Sequence, residues 1–227
     1  WKYIIGVSAL FVIVTIPFSL SLTPYYRATV LMAPAEDPNS GALSALQSQL
    51  GGLSSFIGAI PASSGTMNIY TSIAILNSRT FTDIFIDKKD LLPILFKEKW
   101  DSDKGDWKSG KPPTRVSAHL LMDQIRFTNY DNQKGLIRLS LEWTDPETAA
   151  EWTNSYIALL NDYVREQAKD EAQRSIDFLE KELMETSVVS LQTVLFGMIE
   201  QQTQTIMLAD ARTDYAFKII DKAVVPD

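Results

Sequence analysis

Few residues of this sequence have the chemistry or spacing that catalysis requires. The 227 residues include one histidine, His119, and no cysteine, which excludes thiolate nucleophiles, thiolate metal sites and disulfides. No stretch has the GxxxxGK[ST] spacing of a phosphate-binding loop. The Gly51-Gly52 pair lacks the preceding strand and following acidic residue of a dinucleotide site. We therefore expect no metal, no cofactor and no catalytic residue, with a structural or solvent-facing role for His119.

Carboxylates are abundant, but their pattern is typical of a solvated surface. Residues 145–185 include eleven Asp and Glu against four Lys and Arg, and this difference of −7 equals the net charge of the whole chain. Asp162 and Glu166 are one helical turn apart and have the chemistry of an acid and base pair. Neighbouring carboxylates on a helix are usually solvated, and the favourable spacing of Asp170 with Arg174 supports that interpretation. We predict that the chain is not an enzyme.

The length and net charge of the chain limit the number of domains and the classes of partner that we expect. The chain is long enough for one domain of ordinary size with an appendage. Its net charge is −7, and basic residues adjoin only in short pairs such as Lys88-Lys89. Neither a groove that follows a phosphate backbone nor a polybasic membrane patch is expected. Nucleic acid is therefore not an expected partner.

An apolar stretch predicts a transmembrane helix in residues 1–24. No charged residue lies between Lys2 and Arg27, and a helix of about 20 apolar residues spans a hydrocarbon core of about 30 Å. Aromatic residues flank the stretch, as in the headgroup regions of membrane proteins. A cleaved signal peptide is the alternative, because Ser19-Leu20-Ser21 resembles a cleavage site. The stretch is longer than the roughly 7–15 apolar residues of a signal core, which favours the anchor.

The next part of the chain predicts helices and strands in one small domain. Apolar residues at helical spacing predict helices in residues 43–60, interrupted by Gly51-Gly52, and in residues 69–85. A short element of unspecified type follows in residues 91–96. Residues 101–113 have the composition of a surface loop. Thr114 is expected to cap a helix whose apolar stripe is Val116, Leu120, Leu121 and Ile125. Strands are predicted at residues 26–32, 125–128, 137–144 and 215–225, with residues 131–135 joining the middle two as a hairpin.

A long helical region dominates residues 145–210. Asp145 and Pro146 are typical of a helix start. The apolar residues that follow form a narrow stripe, which indicates a thin contact with another helix rather than full burial. They are Trp152, Tyr156, Leu159, Tyr163, Ala172, Ile176, Leu179 and Leu183. A reversal is predicted near residues 185–190, where β-branched and hydroxyl residues replace strong helix formers.

The order of several short sequences resembles the Wzz-type polysaccharide co-polymerases, the chain-length determinants of surface polysaccharides. The resemblance covers nearly the whole chain, and its specificity lies in the order rather than in any single match. The sequences are Tyr26-Arg27-Ala28, Gly51-Gly52-Leu53, Ala74-Ile75-Leu76-Asn77-Ser78-Arg79, Leu141-Glu142-Trp143-Thr144-Asp145-Pro146, Phe178-Leu179-Glu180-Lys181-Glu182-Leu183, Glu200-Gln201-Gln202-Thr203, Tyr215-Ala216-Phe217-Lys218-Ile219-Ile220-Asp221 and Val224-Val225-Pro226.

This resemblance implies an α+β fold with two transmembrane helices. Residues 1–24 would be the first of these helices, residues 25–144 a periplasmic base domain with a small mixed β-sheet, and residues 145–212 a long protruding helical hairpin. Residues 213–227 would form the final strand of the base domain. A second transmembrane helix is expected after Pro226, beyond this sequence.

The resemblance also implies function and partners. It implies a ring-shaped homo-oligomer in the bacterial inner membrane that works with a Wzy-type polymerase and sets the modal length of O-antigen or a related glycan. The growing polysaccharide or its lipid-linked form is a further expected partner. A periplasmic adaptor of an efflux or secretion system is the main alternative, although such adaptors have β-rich lipoyl-like and barrel modules. An enzyme with a dispersed active site is the other, and it would be active without the polymerase.

Overall fold

A computed structural model describes residues 24–35 and 69–226. The predicted transmembrane helix in residues 1–24, apart from Pro24, and the predicted helices in residues 43–60 lie outside the described residues. Within the described ranges, none of the helices combines the length and the apolar composition that a membrane span needs.

The main sheet of the described residues has four strands. Strand β1 (Tyr26–Pro34) lies between β5 (Leu136–Trp143) and β6 (Phe217–Asp221), and β4 (Arg126–Asp131) pairs with the outer edge of β5. Every neighbouring pair is antiparallel. The expectation of a mixed sheet is thus wrong, because the chain returns to β1 in the opposite direction both in β5 and in β6.

Two helices replace the single helix predicted at residues 69–85. Helix α1 (Ile69–Leu76) ends before Ser78, and α2 (Arg79–Lys88) begins after it. The hydroxyl of Ser78 accepts a hydrogen bond of 3.1 Å from the backbone N–H of Phe81, which caps α2. The cap starts a new helix although the apolar spacing continues across the break.

The polar stretch after α2 contains more structure than a loop. Helix α3 (Leu92–Leu95) and a 3₁₀ turn (Lys97–Lys99) precede two short antiparallel strands, β2 (Trp100–Asp101) and β3 (Asp106–Trp107). Gly105, at a φ of 63°, has the left-handed conformation that this tight reversal requires. Residues 101–113 are thus on the surface as expected, but part of them is a hairpin.

Helix α4 (Arg115–Ile125) begins where the sequence predicts and buries a different face. The Thr114 hydroxyl accepts a hydrogen bond of 3.3 Å from the Ser117 N–H, which confirms the cap. The buried residues are Ala118, His119, Met122 and Ile125. The predicted stripe is wrong at Val116 and Leu120, which are 62% and 60% exposed. Two sets of residues in this helix have helical spacing, and either could form the buried face. The set that contains the small Ala118 is the one that packs against neighbouring elements.

The predicted hairpin of β4 and β5 is confirmed. Asp131 and Leu136 are the last paired residues before the turn, and Gly135 has a φ of 65°. One carboxylate oxygen of Asp131 accepts hydrogen bonds of 3.0 and 3.2 Å from the N–H groups of Gln133 and Lys134. The side chain therefore stabilises the turn that its own residue begins.

The long helix α5 (Pro146–Glu185) packs in the core over its first five turns and is mostly exposed beyond them. Asp145 caps it by accepting a hydrogen bond of 2.7 Å from the Thr148 N–H, as predicted. Ten residues between 149 and 164 are buried against the sheet and α2, whereas only Ala172, Ile176 and Leu179 are buried beyond them. The prediction of one narrow stripe is wrong for the first five turns, where the helix supplies a broad face of the core, and right for the later turns. The division at residue 145 stays a prediction.

The predicted reversal is confirmed at residues 186–188. Helix α5 ends at Glu185, and α6 (Val189–Ala211) begins after three intervening residues and packs back along it. The chain then returns to the sheet through β6. This last strand is shorter than the predicted residues 215–225, because only four residue pairs join it to β1 and the register shifts between Leu31 and Met32.

Candidate assembly surface

His119, the lone histidine, lies in the packed interface between α2 and α4. Its side chain is about one-tenth exposed, and Nε2 is 3.1 Å from Oδ1 of Asp83. The neighbouring Arg115 approaches Asp87 with two guanidinium nitrogens, at 2.7 and 3.0 Å. The hydrogen bond to Asp87 is the main cause that raises the pKa of Arg115. The Arg115–Asp87 pair and the close approach of His119 to Asp83 connect the two helices, and the structural or solvent-facing role expected for His119 stays a prediction.

Asp162 and Glu166 do not form an acid and base pair around a cleft. Asp162 Oδ1 is 2.9 Å from Nη2 of Arg165, and Glu166 Oε1 is 3.5 Å from Nε of the same residue. Their side chains are 49% and 57% exposed. Both carboxylates are therefore partners of one surface arginine. Within residues 24–35 and 69–226, no group of three or more His, Asp and Glu has an arrangement that could hold a metal ion.

Helix α6 has a surface unlike that of α5. Its 23 residues include two acidic residues, Glu200 and Asp210, and no basic residue. Only Leu195 and Ala209 are buried, although the helix is apolar on average. A helix with so few charges and so little burial leaves apolar side chains that residues 24–35 and 69–226 do not cover.

Three of these side chains share the outward face of α6. Val189, Phe196 and Met207 are 74%, 59% and 65% exposed. Spacings of seven and eleven residues bring them within about 20° of one direction around a helix of 3.6 residues per turn. We call this set the outer stripe. It lies on a different side of α6 from Leu195 and Ala209, the two buried residues of this helix.

A second apolar area lies in the groove between the two long helices. Phe178 of α5 and Met198 of α6 line an open groove of about 370 Å³, with Glu171 and Arg174 at its edge. Phe178 is 61% exposed. Val194 precedes Met198 by one helical turn and is 54% exposed. The groove and the outer stripe together form the candidate assembly surface.

Polar contacts hold the hairpin closed at both ends. Lys169 Nζ is 2.7 Å from Oδ1 of Asp210 at the lower end, and the hydrogen bond to Asp210 is the main cause that raises the pKa of Lys169. At the reversal, the Gln192 amide donates a hydrogen bond of 3.0 Å to the carbonyl of Thr186. The pairing of α5 with α6 therefore does not depend on apolar contacts alone.

Two asparagines of α5 bind the last segment of the chain. Asn161 is 2% exposed. Its amide donates to the Phe217 carbonyl and its oxygen accepts from the N–H groups of Ala216 and Phe217, all at 2.9 Å. Asn154, seven residues earlier, exchanges hydrogen bonds of 2.9 and 3.0 Å with the backbone of Ala223. Sequence reasoning missed this pair, whose only signal is two uncharged amides two turns apart.

A buried arginine connects three further elements. Arg126, 5% exposed at its side chain, donates hydrogen bonds to the Tyr156 hydroxyl at 2.7 Å and the Thr82 hydroxyl at 2.8 Å. Tyr156 in turn donates to the Leu76 carbonyl at 2.8 Å. Burial raises the pKa of Tyr156, and the charge of Arg126 acts in the opposite direction. The sequence pattern predicts a strand at Arg126 but does not indicate these hydrogen bonds.

Several solved structures are similar to this chain. Neither a family model nor a curated protein sequence matches the chain. A fragment of WzzB, a polysaccharide co-polymerase from Salmonella Typhimurium, is 16% identical with a TM-score of 0.37, over 88% of this chain and 96% of that one. A full-length bacterial polysaccharide co-polymerase is 12% identical with a TM-score of 0.33, over 96% and 81% of the two chains. A Wzz dodecamer is 14% identical with a TM-score of 0.29, over 88% and 98%. These three solved structures, to which the chain is similar, are of Wzz proteins and polysaccharide co-polymerases.

Proposed function

We propose that the chain is a subunit of an oligomeric regulator of surface-polysaccharide chain length. It would be anchored in the bacterial inner membrane with its main domain in the periplasm, and it would act with a Wzy-type polymerase on O-antigen or a related glycan. The ordered sequence resemblance described above supports this proposal. The observation that carries it furthest is the path of the chain through the sheet.

Strand β1 starts at the end of the domain toward which the chain runs after β6. Strand β1 starts at Tyr26, and β6 runs antiparallel to it, with Phe217 opposite Pro34 and Asp221 opposite Leu31. Residues 222–226 therefore continue back toward the level of Tyr26, where Asn154 binds Ala223. Two segments that leave side by side suit a domain attached to a membrane through both of them. Helix α5 passes the sheet and extends from the opposite end.

The adaptor alternative is not favoured by any feature of the described residues. Their strands form one four-stranded sheet and one hairpin of two-residue strands. The expected β-rich lipoyl-like and barrel modules are not found in this part of the chain.

Deletion of the gene tests the proposed function. Gel analysis of surface polysaccharide is expected to show a band distribution that loses its modal length, with return of the mode when the intact gene is supplied. A strain carrying a variant that leaves the chain unable to assemble is expected to resemble the deletion. An unchanged distribution after deletion would contradict the proposal.

A further inference from the structure

A small hairpin carries two tryptophans that the core does not use. Residues 97–111, here called the tryptophan hairpin, include strands β2 and β3. The rings of Trp100 and Trp107 meet edge to face with centroids 4.9 Å apart. Neither ring is among the described side chains that pack against the hydrophobic core. Both are half-buried, and all other residues of the hairpin except Asp101 are exposed.

The hairpin is also rich in lysine. Lys97, Lys99, Lys104, Lys108 and Lys111 oppose Glu98, Asp101, Asp103 and Asp106, so five positive and four negative charges give +1 in a chain whose net charge is −7. Two of the carboxylates accept hydrogen bonds inside the hairpin: Asp101 from the N–H of Asp103 at 3.2 Å, and Asp106 from the N–H of Trp107 at 2.7 Å. The Lys104 side chain is 79% exposed, and its Nζ is 3.8 Å from Oδ2 of Asp101. The indole N–H groups have no acceptor among the residues that the structure describes.

Contacts along α5 show at which end of the domain the hairpin lies. Helix α2 runs antiparallel to the first half of α5: Phe81 contacts Tyr163, Phe85 contacts Tyr156, and Lys89 Nζ is 3.1 Å from Oε1 of Glu151. Helix α2 thus ends beside the second turn of α5. The chain leaves α2 there for the tryptophan hairpin and comes back to the same place, because Arg115 pairs with Asp87.

This is also the end at which β1 begins and the last segment leaves. Tyr26 pairs with Trp143, two residues before the cap of α5. Exposed apolar side chains gather at this end, including Tyr25, Val116 and Val224, which are 63%, 62% and 73% exposed. The uncharged apolar stretch of residues 3–22 ends three residues before Tyr25. A bilayer that holds this stretch would begin beside the tryptophan hairpin.

We propose that the tryptophan hairpin lies in the headgroup layer of the bilayer in which the chain is anchored. Indole rings favour this layer because an apolar body and a polar N–H can both be accommodated there. The exposed ammonium groups of the hairpin can pair with individual lipid phosphates in this layer, although its four carboxylates leave a net charge of only +1. The hairpin would be a membrane contact separate from the spans, fixing the angle at which the domain stands. This inference rests on the membrane anchoring in the proposed function.

Single-cysteine labelling of the full chain tests the inference, because the natural sequence has no cysteine. Lys104→Cys places a nitrobenzoxadiazole fluorophore at the tip of the tryptophan hairpin. Lys134→Cys is the matched control, at the tip of the β4–β5 hairpin, whose turn lies at the other end of β5 from Trp143. Each protein is reconstituted into vesicles of phosphatidylethanolamine and phosphatidylglycerol that include brominated phosphatidylcholine. We expect bromine to quench the Lys104 label several-fold more than the Lys134 label.

Flotation of the same vesicles separates the two proposals. If the chain floats with the vesicles and both labels are quenched equally weakly, the headgroup contact is wrong and the anchoring stands. If the chain does not float with the vesicles, both the anchoring and the headgroup contact are wrong. Stronger quenching at Lys104 than at Lys134 in floating vesicles supports both.

Discussion

Asn161 is a polar side chain buried where the long helix meets the last strand. An amide has donors and an acceptor on one planar group, so it can bind both the N–H and the carbonyl groups of an extended backbone. Asn161 does this at Ala216 and Phe217, and Asn154 does so at Ala223. The two side chains thereby extend the contacts of a strand that has only a short pairing with β1.

We expect Asn161→Ala to lower the free energy of unfolding by about 1–3 kcal/mol, because it leaves buried backbone groups of the last strand without partners. Thermal unfolding of the detergent-solubilised chain, followed by circular dichroism, measures the change. Asn132→Ala is the matched control at an exposed turn position, with an expected change within about 0.5 kcal/mol. Equal stability of the two variants would contradict the role of Asn161.

Tyr156 is expected to make the free energy of unfolding decrease as the pH becomes alkaline. Burial raises its pKa above the ordinary value of 10.0 in the folded protein, whereas the unfolded chain loses the proton near that value. The stabilising contribution is therefore complete below about pH 10 and decreases as the pH rises above it. Unfolding temperatures measured from about pH 9 to 11 should fall less in Tyr156→Phe than in the natural protein. Tyr25→Phe, at a 63% exposed tyrosine, should follow the natural protein; a parallel decline in all three proteins would disprove the prediction.

His119→Ala and the double variant Asp162→Asn, Glu166→Gln are expected to leave the glycan length distribution largely intact. The contacts of His119 are to a helix neighbour, and the two carboxylates contact a surface arginine. The polysaccharide ladder of complemented deletion strains measures the effect. Complete loss of length control in a variant that folds and assembles normally would support the enzyme alternative instead.

At the scale of single residues, helix caps are easier to predict from the sequence than the partners of buried polar side chains. Thr114 and Asp145 act on residues three positions away, so local spacing is sufficient to identify them. Asn161 and Arg126 bind groups that are far away in the sequence, and single-sequence periodicity contains no information about such partners. The same limitation explains the error at Val116 and Leu120, where two faces of one helix fit the apolar spacing equally well.

Among the elements, α6 has the clearest consequence for assembly. Its outer stripe and the groove beside Phe178 leave apolar area that α5 does not cover. Elements with strong local signals, such as the β4–β5 hairpin and the reversal after Glu185, are predictable from the sequence. The break at Ser78 and the early end of β6 depend on tertiary pairing, which the sequence patterns do not show.

Phe196→Glu is expected to weaken self-association while the subunit stays folded. Phe196 is 59% exposed, so a carboxylate is solvated in the monomer but would be buried in an interface at the outer stripe. Leu120→Glu makes the same kind of change at a 60% exposed position of α4. Light scattering of the solubilised proteins should show a smaller mean mass for Phe196→Glu alone. Unchanged mass in that variant would exclude the outer stripe as an interface.

At the scale of the whole molecule, the natural protein is expected to form a closed homo-oligomer. A thin hairpin cannot bury the outer stripe by itself, and closed symmetry is the usual way in which identical subunits cover such surfaces. Native mass measurement in detergent or in lipid should show one defined species larger than the monomer. A monomer as the only species would count against assembly and against the chain-length proposal together.

Asn154 and Asn161 attach the last segment of the chain near one end of α5, so the helix connects movements of that segment with movements of its far end. Asn154 and Asn161 are about 10 Å apart along the axis, and Glu185 lies about 36 Å beyond Asn161. Because residues 149–164 of the helix pack in the core, the domain and the helix would tilt together, and a tilt about Asn161 that shifts Asn154 by about 1 Å moves the far end by about 3 Å. The segment that carries Ala223 toward the end of the chain is attached at the short arm. Small movements of that segment would therefore be amplified at the reversal between α5 and α6, and forces on the reversal would be transmitted back to it.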